Sequence, residues 1–136
     1  MRLTIAGGGG FRVPLVYRAL SGGPFAGLVR ELVLYDVDAA RLAAIEAVLA
    51  SLARQGPPGS GPQIRAVSSL PEALDGADMV FAAIRPGGTA GRTADERIAL
   101  DLGLLGQETT GAGGISYALR SIPPMLRLAE QMRSRC

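Results

Sequence analysis

The chain has 136 residues, 48% hydrophobic and 19% charged, with 14 basic residues, all arginine, against 12 acidic ones for a net charge of +2. That composition suits one folded domain with a real core, and the scattered arginines form no basic stripe with interleaved aromatics, so nucleic acid is not an expected partner. Without histidine, and with Cys136 as its one cysteine, the sequence excludes a Ser-His-Asp triad, a Cys-His pair, a His-containing zinc site and an internal disulfide within these residues.

Met1 leads straight into an apolar strand over 3–6, with no charged leader and no long apolar segment. A signal peptide and a membrane span are therefore not expected, and a reducing, cytoplasmic location is. The strand runs into Gly7-Gly8-Gly9-Gly10, and a helix is predicted over 13–20, with Pro14 tolerated in its first turn. Ser21-Gly22-Gly23-Pro24 ends it, and a second strand over 31–35 stops at Asp36. Asp38 is placed to cap a helix reaching about Ala53, with Leu42, Ile45, Val48, Leu49 and Leu52 at helical spacing. A Gly/Pro-rich connector over 55–62 leads to a third strand over 64–67, a brief helix over 70–74 and a fourth strand over 78–84. Beyond it come a turn at Arg85-Pro86-Gly87-Gly88, a helix over 94–102, a glycine-rich stretch over 103–114 and a last helix over 115–133 that Pro123-Pro124 should kink or interrupt.

Alternating strands and helices predict an α/β fold: a Rossmann-like parallel sheet in the order 3-2-1-4. Two readings fit the glycine run. Strand, glycines, helix, then a strand ending in a carboxylate is the opening of a dinucleotide-binding βαβ unit, in which backbone N–H groups approach a pyrophosphate and the carboxylate meets a ribose diol. The same glycines also make a tight strand-to-helix turn, and Arg12 stands where the full pattern has its third glycine. Arg92 with Asp95 and Glu96 fits a surface ion-pair cluster, Glu108 a loop cap, and Asp36 a helix-opening residue. Tyr17, Tyr35 and Tyr117 are expected in the core or at its edge.

Six segments in this order carry more information than any one of them. Ala6-Gly7-Gly8-Gly9, Leu34-Tyr35-Asp36, Ala73 to Asp78, Ile84-Arg85-Pro86-Gly87-Gly88, Asp95-Glu96-Arg97-Ile98 and Gly106 to Gly114 are followed by Leu119-Arg120-Ser121-Ile122-Pro123. Together they resemble the N-terminal part of glycoside hydrolase family 4, with Gly-Ala-Gly-Gly and Arg-Ser-Ile-Pro closer to its 6-phospho-β-glucosidase branch. The resemblance implies a hydrolase that uses NAD and a divalent metal, usually manganese. It oxidises C3 of a phosphorylated glycoside, and a tyrosine takes the C2 proton before the glycosidic oxygen leaves, unlike the two-carboxylate route. It implies that Gly7, Gly8, Gly9, Gly10, Phe11 and Asp36 hold NAD. Arg85 and Arg92 would contact substrate, and Glu108 would act catalytically by raising the basicity of the tyrosine.

The metal-binding cysteine and histidine and that tyrosine are expected after Cys136, so no metal site is expected here. The chain is then an incomplete Rossmann-like part, inactive alone, whose later strands and catalytic lobe are missing. The competing reading is a stand-alone nucleotide-binding or interaction module. Pro86 and Gly10 depart from the family pattern. An apolar edge at Met79, Val80, Phe81 and Ile84 predicts self-association into a homo-oligomer.

Overall fold

The computed structural model describes residues 1–107 and 109–136. Four strands, β1 (Arg2–Ala6), β2 (Glu31–Tyr35), β3 (Gln63–Val67) and β4 (Met79–Ala82), form one parallel sheet in the order β3-β2-β1-β4. The expected strand order is the observed one. Among the described residues five α-helices accompany them, α1 (Val13–Ser21), α2 (Ala39–Gln55), α3 (Leu70–Leu74), α4 (Gly88–Asp101) and α5 (Gly111–Arg135), with a short 3-10 helix at Gly23–Phe25. Two compact units divide the chain, residues 1–84 with 132–136, and residues 85–131.

In the first unit, alternation along the strands sorts side chains to two faces. Leu3 and Ile5 of β1 and Leu32 and Leu34 of β2 bury against Val13 and Tyr17 of α1 and Leu42 and Leu49 of α2. Val33 and Val67 turn to the other face, against Ala73 of α3. Strand β2 is covered on both sides, so Leu32, Val33 and Leu34 are wholly buried. A continuous apolar run is what a central parallel strand requires. Each such side chain contributes about 1.5–3 kcal/mol of transfer free energy. Thr4 is the polar member of this core; its hydroxyl donates to the Ala73 carbonyl at 2.7 Å. At the strand starts, Glu31 accepts from Arg2 at 2.6 Å and from Arg65 at 3.2 Å, and Arg65 also reaches Glu72 at 3.0 Å.

The chain steps from β1 out to β3 and then returns to place β4 on the other side of β1. The topological switch point thus lies at the carboxyl ends of β1 and β4, where an open parallel sheet leaves a crevice. The glycine run follows β1 directly. Strand β4 is shorter than the expected 78–84 and pairs with β1 alone among the described strands, leaving Met79 and Phe81 half exposed.

In the second unit, α4 starts at Gly88, six residues before the expected start at Ala94. Gly87 turns the chain at φ +80 and the helix begins at once; Gly88 and Gly91 are poor helix formers and hide that start in the sequence. Helix α5 begins at Gly111, inside the stretch expected as glycine-rich loop, and runs unbroken through Pro123 and Pro124. The two prolines withhold N–H groups from the carbonyls of Leu119 and Arg120, four residues back. Leu119 is largely exposed, so water can serve its carbonyl.

Candidate functional site

The glycine loop is tied to the end of β2 from both sides. The N–H groups of Gly7 and Gly8 both donate to the Tyr35 carbonyl at 2.8 Å. Gly9 N–H donates to Oδ2 of Asp36 at 2.9 Å, and Asp38 N–H donates to Oδ1 of the same carboxylate at 3.0 Å. Gly10 N–H closes a turn onto the Gly7 carbonyl at 3.0 Å, and Val13 N–H onto Gly10 at 3.0 Å. The loop therefore enters α1 in one fixed path.

Three glycines are required for that path; a Cβ on Gly8 would stand 2.8 Å from Cβ of Leu34 and 2.9 Å from the Tyr35 backbone nitrogen. Gly7 has φ +97, and a Cβ there would stand 2.4 Å from the Ala83 carbonyl oxygen. A Cβ on Gly9 would stand 2.8 Å from Cβ of Arg41 and 2.9 Å from Oδ2 of Asp36. Beyond Gly10, no described residue accepts a hydrogen bond from the N–H groups of Phe11 or Arg12, and both residues are exposed. Pro14 follows in the first turn of α1. Donors at the start of a helix, behind a backbone that no side chain crowds, form a cradle for an anion such as a pyrophosphate. Arg12 lies over the Phe11 ring at 5.1 Å from its centroid, which holds its charge near the mouth of that cradle.

The structure thus brings Gly7, Gly8, Gly9, Gly10, Phe11 and Asp36 together at the switch point. Asp36 already has a structural task. Each of its oxygens already accepts a backbone N–H, so the carboxylate positions the loop, and its bond to Asp38 N–H also opens α2. Asp38 caps α2 as expected, accepting from Arg41 N–H at 3.0 Å.

Arg85 and Arg92 belong to the second unit. The Arg85 carbonyl accepts from Gly88 N–H at 3.0 Å in the turn that opens α4. Arg92 reaches Glu96 at 2.8 Å one turn on, so the pairing expected from the sequence holds for Glu96. Asp95 is a correction. It is buried, with 1% of its surface exposed, and grips Arg120 of α5 through both oxygens, one bond at 2.7 Å. Ser116 donates to it at 2.8 Å, and Arg120 Nε donates to the Pro86 carbonyl at 2.8 Å. This clamp fixes the Arg85-Pro86-Gly87-Gly88 turn. Gly87 and Gly91 make room for it, since a Cβ on either would meet the Arg120 guanidinium group at 2.8 and 3.0 Å. The Arg120 bonds hold the Asp95 carboxyl below its ordinary range against the opposing effect of burial, with Ser116 adding to them. Asp95 in turn raises Arg120.

The spacing of Asp95 and Ala99, both buried and four apart on α4, is the signal that would have found this clamp. Glu108, expected as the catalytic residue, lies outside the described residues. Among the described residues no three His, Cys, Asp or Glu side chains gather to hold a metal ion, and no helix is long and apolar enough to cross a membrane.

Known proteins resemble this chain in sequence and fold. The chain is 38% identical over 130 residues to 6-phospho-alpha-glucosidase 1 of Lacticaseibacillus paracasei, covering 96% of this chain and 29% of that protein. It is 31% identical over 133 residues to 6-phospho-beta-glucosidase BglT of Thermotoga maritima, covering 98% and 31%. A solved structure of a 6-phospho-alpha-glucosidase from gut microorganisms, in complex with NAD and Mn2+, superposes with a TM-score of 0.85 at 33% identity over 97% of this chain and 30% of that one. The Thermotoga maritima 6-phospho-beta glucosidase with NAD and glucose-6-phosphate gives 0.85 at 29% identity, over 99% and 32%. The chain spans 29% to 32% of the length of these proteins. A sequence profile described as family 4 glycosyl hydrolase matches residues 3–136, and the chain belongs to that family.

Proposed function

We propose that this chain is the NAD-binding part of a family 4 phosphoglucosidase. The carrying observation is the glycine loop: an uncrowded backbone at the switch point, anchored by Asp36, opening on the N–H groups of Phe11 and Arg12. Similar proteins solved with NAD at a TM-score of 0.85 support the same reading. When bound, NAD supplies a hydride acceptor for sugar oxidation. The chain's own residues bind and orient it. The N–H groups of Phe11 and Arg12 take the pyrophosphate, α1 adds the positive end of its dipole, and Asp36 keeps the loop in place beside the adenosine ribose.

The substrate on this reading is a 6-phosphoglucoside, with the β anomer suggested by the Gly-Ala-Gly-Gly and Arg-Ser-Ile-Pro stretches. Arg85 and Arg92 are the proposed substrate contacts, Arg85 held in its turn by the Arg120 clamp. Glu108 keeps the proposed role of raising the basicity of a tyrosine. The described residues do not fit a manganese site; the metal ligands on this reading belong to the length of the relatives that this chain does not span, and the 136 residues alone do not turn over.

Calorimetric titration of the purified chain with NAD tests the proposal, beside an Asp36→Ala variant. Saturable binding that the variant loses is the expected result. No binding by a demonstrably folded chain would overturn it in favour of a scaffold or interaction module.

A further inference from the structure

Two charged residues, Asp36 and Arg41, lie beside Gly9 and a third, Asp38, bonds to both, and their bonding assigns them different tasks. Asp36 is fixed, each oxygen accepting one backbone N–H. Arg41 starts from directly beneath the loop, its Cβ 2.8 Å from where a Cβ on Gly9 would stand. Asp38 holds Arg41 at both ends: it accepts from the Arg41 backbone at 3.0 Å, and its carboxylate lies 3.2 Å from the guanidinium Nε. The Arg41 side chain is 70% exposed, so an ion pair with Asp38, rather than packing, decides where its charge points.

A dinucleotide on this loop places its adenosine ribose beside Gly9 and the end of β2. A 2′-phosphate there brings about 1.5–2 further negative charges. It would meet two carboxylates and a guanidinium whose charge one of them already balances. A guanidinium near the end of β2 is the kind of group that accommodates a 2′-phosphate in NADP-binding proteins of this fold, and Arg41, released, is one.

We infer that the Asp38–Arg41 pair sets the choice between NAD and NADP: Asp38 withholds Arg41 from the ribose edge, and Asp36 alone does not account for the selectivity. The inference rests on the proposed NAD site. Asparagine at 38 still caps a helix while giving up the charge that holds Arg41, and an exposed ion pair is weak enough for one substitution to release it.

The test is the ratio of NADP to NAD dissociation constants, measured by calorimetry on the whole chain, its Asp38→Asn variant and the double variant Asp38→Asn/Arg41→Ala. Thermal melts of each establish that it is folded. Asp38→Asn is expected to bring the ratio about fivefold closer to unity. The double variant is expected to return it to within about threefold of the parent, because the gain belongs to the freed guanidinium. An unchanged ratio in Asp38→Asn overturns the inference, as does a gain that persists without Arg41, which would reflect loss of a repelling carboxylate alone. A folded parent that binds neither dinucleotide overturns the proposed NAD site itself, and this inference with it.

Discussion

Replacing Gly7 by alanine separates backbone strain from crowding at the centre of the site. Gly59 is the matching control: it too has a positive φ, +73 against +97 for Gly7, but nothing stands within 4 Å of its added Cβ. Both substitutions force an L-residue into the left-handed region, at about 1–2 kcal/mol each. Only at Gly7 does the new methyl group meet backbone, 2.4 Å from the oxygen and 2.7 Å from the carbon of the Ala83 carbonyl. An ordinary contact is about an ångström longer than this. Reaching it requires β1 and β4 to part where Ala83 N–H donates to Ala6 at 2.7 Å, or the loop to leave the Tyr35 carbonyl that Gly7 and Gly8 share. Losing the two Tyr35 bonds at about 0.5–1.5 kcal/mol each gives an added cost of roughly 1–3 kcal/mol. With a urea slope of about 2 kcal/mol per molar, the Gly7→Ala midpoint should fall about 0.5–1.5 M below that of Gly59→Ala. Equal midpoints for the two variants would refute the crowding argument, and with it the claim that Gly7 is required by close approach of the Ala83 backbone.

Thr4→Val removes the donor to the Ala73 carbonyl inside the core and should destabilise by about 1–3 kcal/mol in the same urea assay, despite its matching shape. A value near zero would mean the carbonyl finds another donor. The Asp95 carboxyl is held below its unfolded value by Arg120, so its contribution to stability is complete above about pH 5 and fades as the pH falls below about 4. Asp95→Asn should therefore melt well below the parent at pH 7, with the gap closing toward pH 3; a gap constant with pH would contradict the clamp. The open side of β4, with Met79 and Phe81 half exposed, predicts association that grows with concentration in light scattering and is reduced by Phe81→Lys. A monodisperse monomer at high concentration would count against it.

The sheet was legible because its signals are local. Apolar runs over β1 and β2, glycines at the switch and a capping Asp38 each follow from neighbours in sequence, and the strand order follows from the βαβ pattern. Helix α4 was read short because Gly88 takes a positive φ, +58, and Gly91 makes room for the Arg120 guanidinium, which lies about thirty positions away in the chain. Asp95 was read as a surface charge because Arg92 and Glu96 flank it. Those two pair one turn apart, whereas Asp95 points about 100° away from Glu96 around the helix, toward Ala99 and burial. The prolines of α5 signal a break by propensity, yet the helix continues through them. For Asp36, spacing supplied the position, but its two backbone bonds appear only once β1 and β2 are side by side.

The most direct test of the central claim is an amide NMR titration of the isotopically labelled chain with NAD. A dinucleotide held by the glycine loop should shift the signals of Gly9, Gly10, Phe11 and Arg12 saturably, together with Asp36 and Asp38 at the end of β2, and leave the strand starts around Arg2 and Arg65 unmoved. A folded spectrum in which those loop signals stay fixed at saturating NAD, or in which shifts gather elsewhere, would contradict the assignment of this loop as the cofactor site.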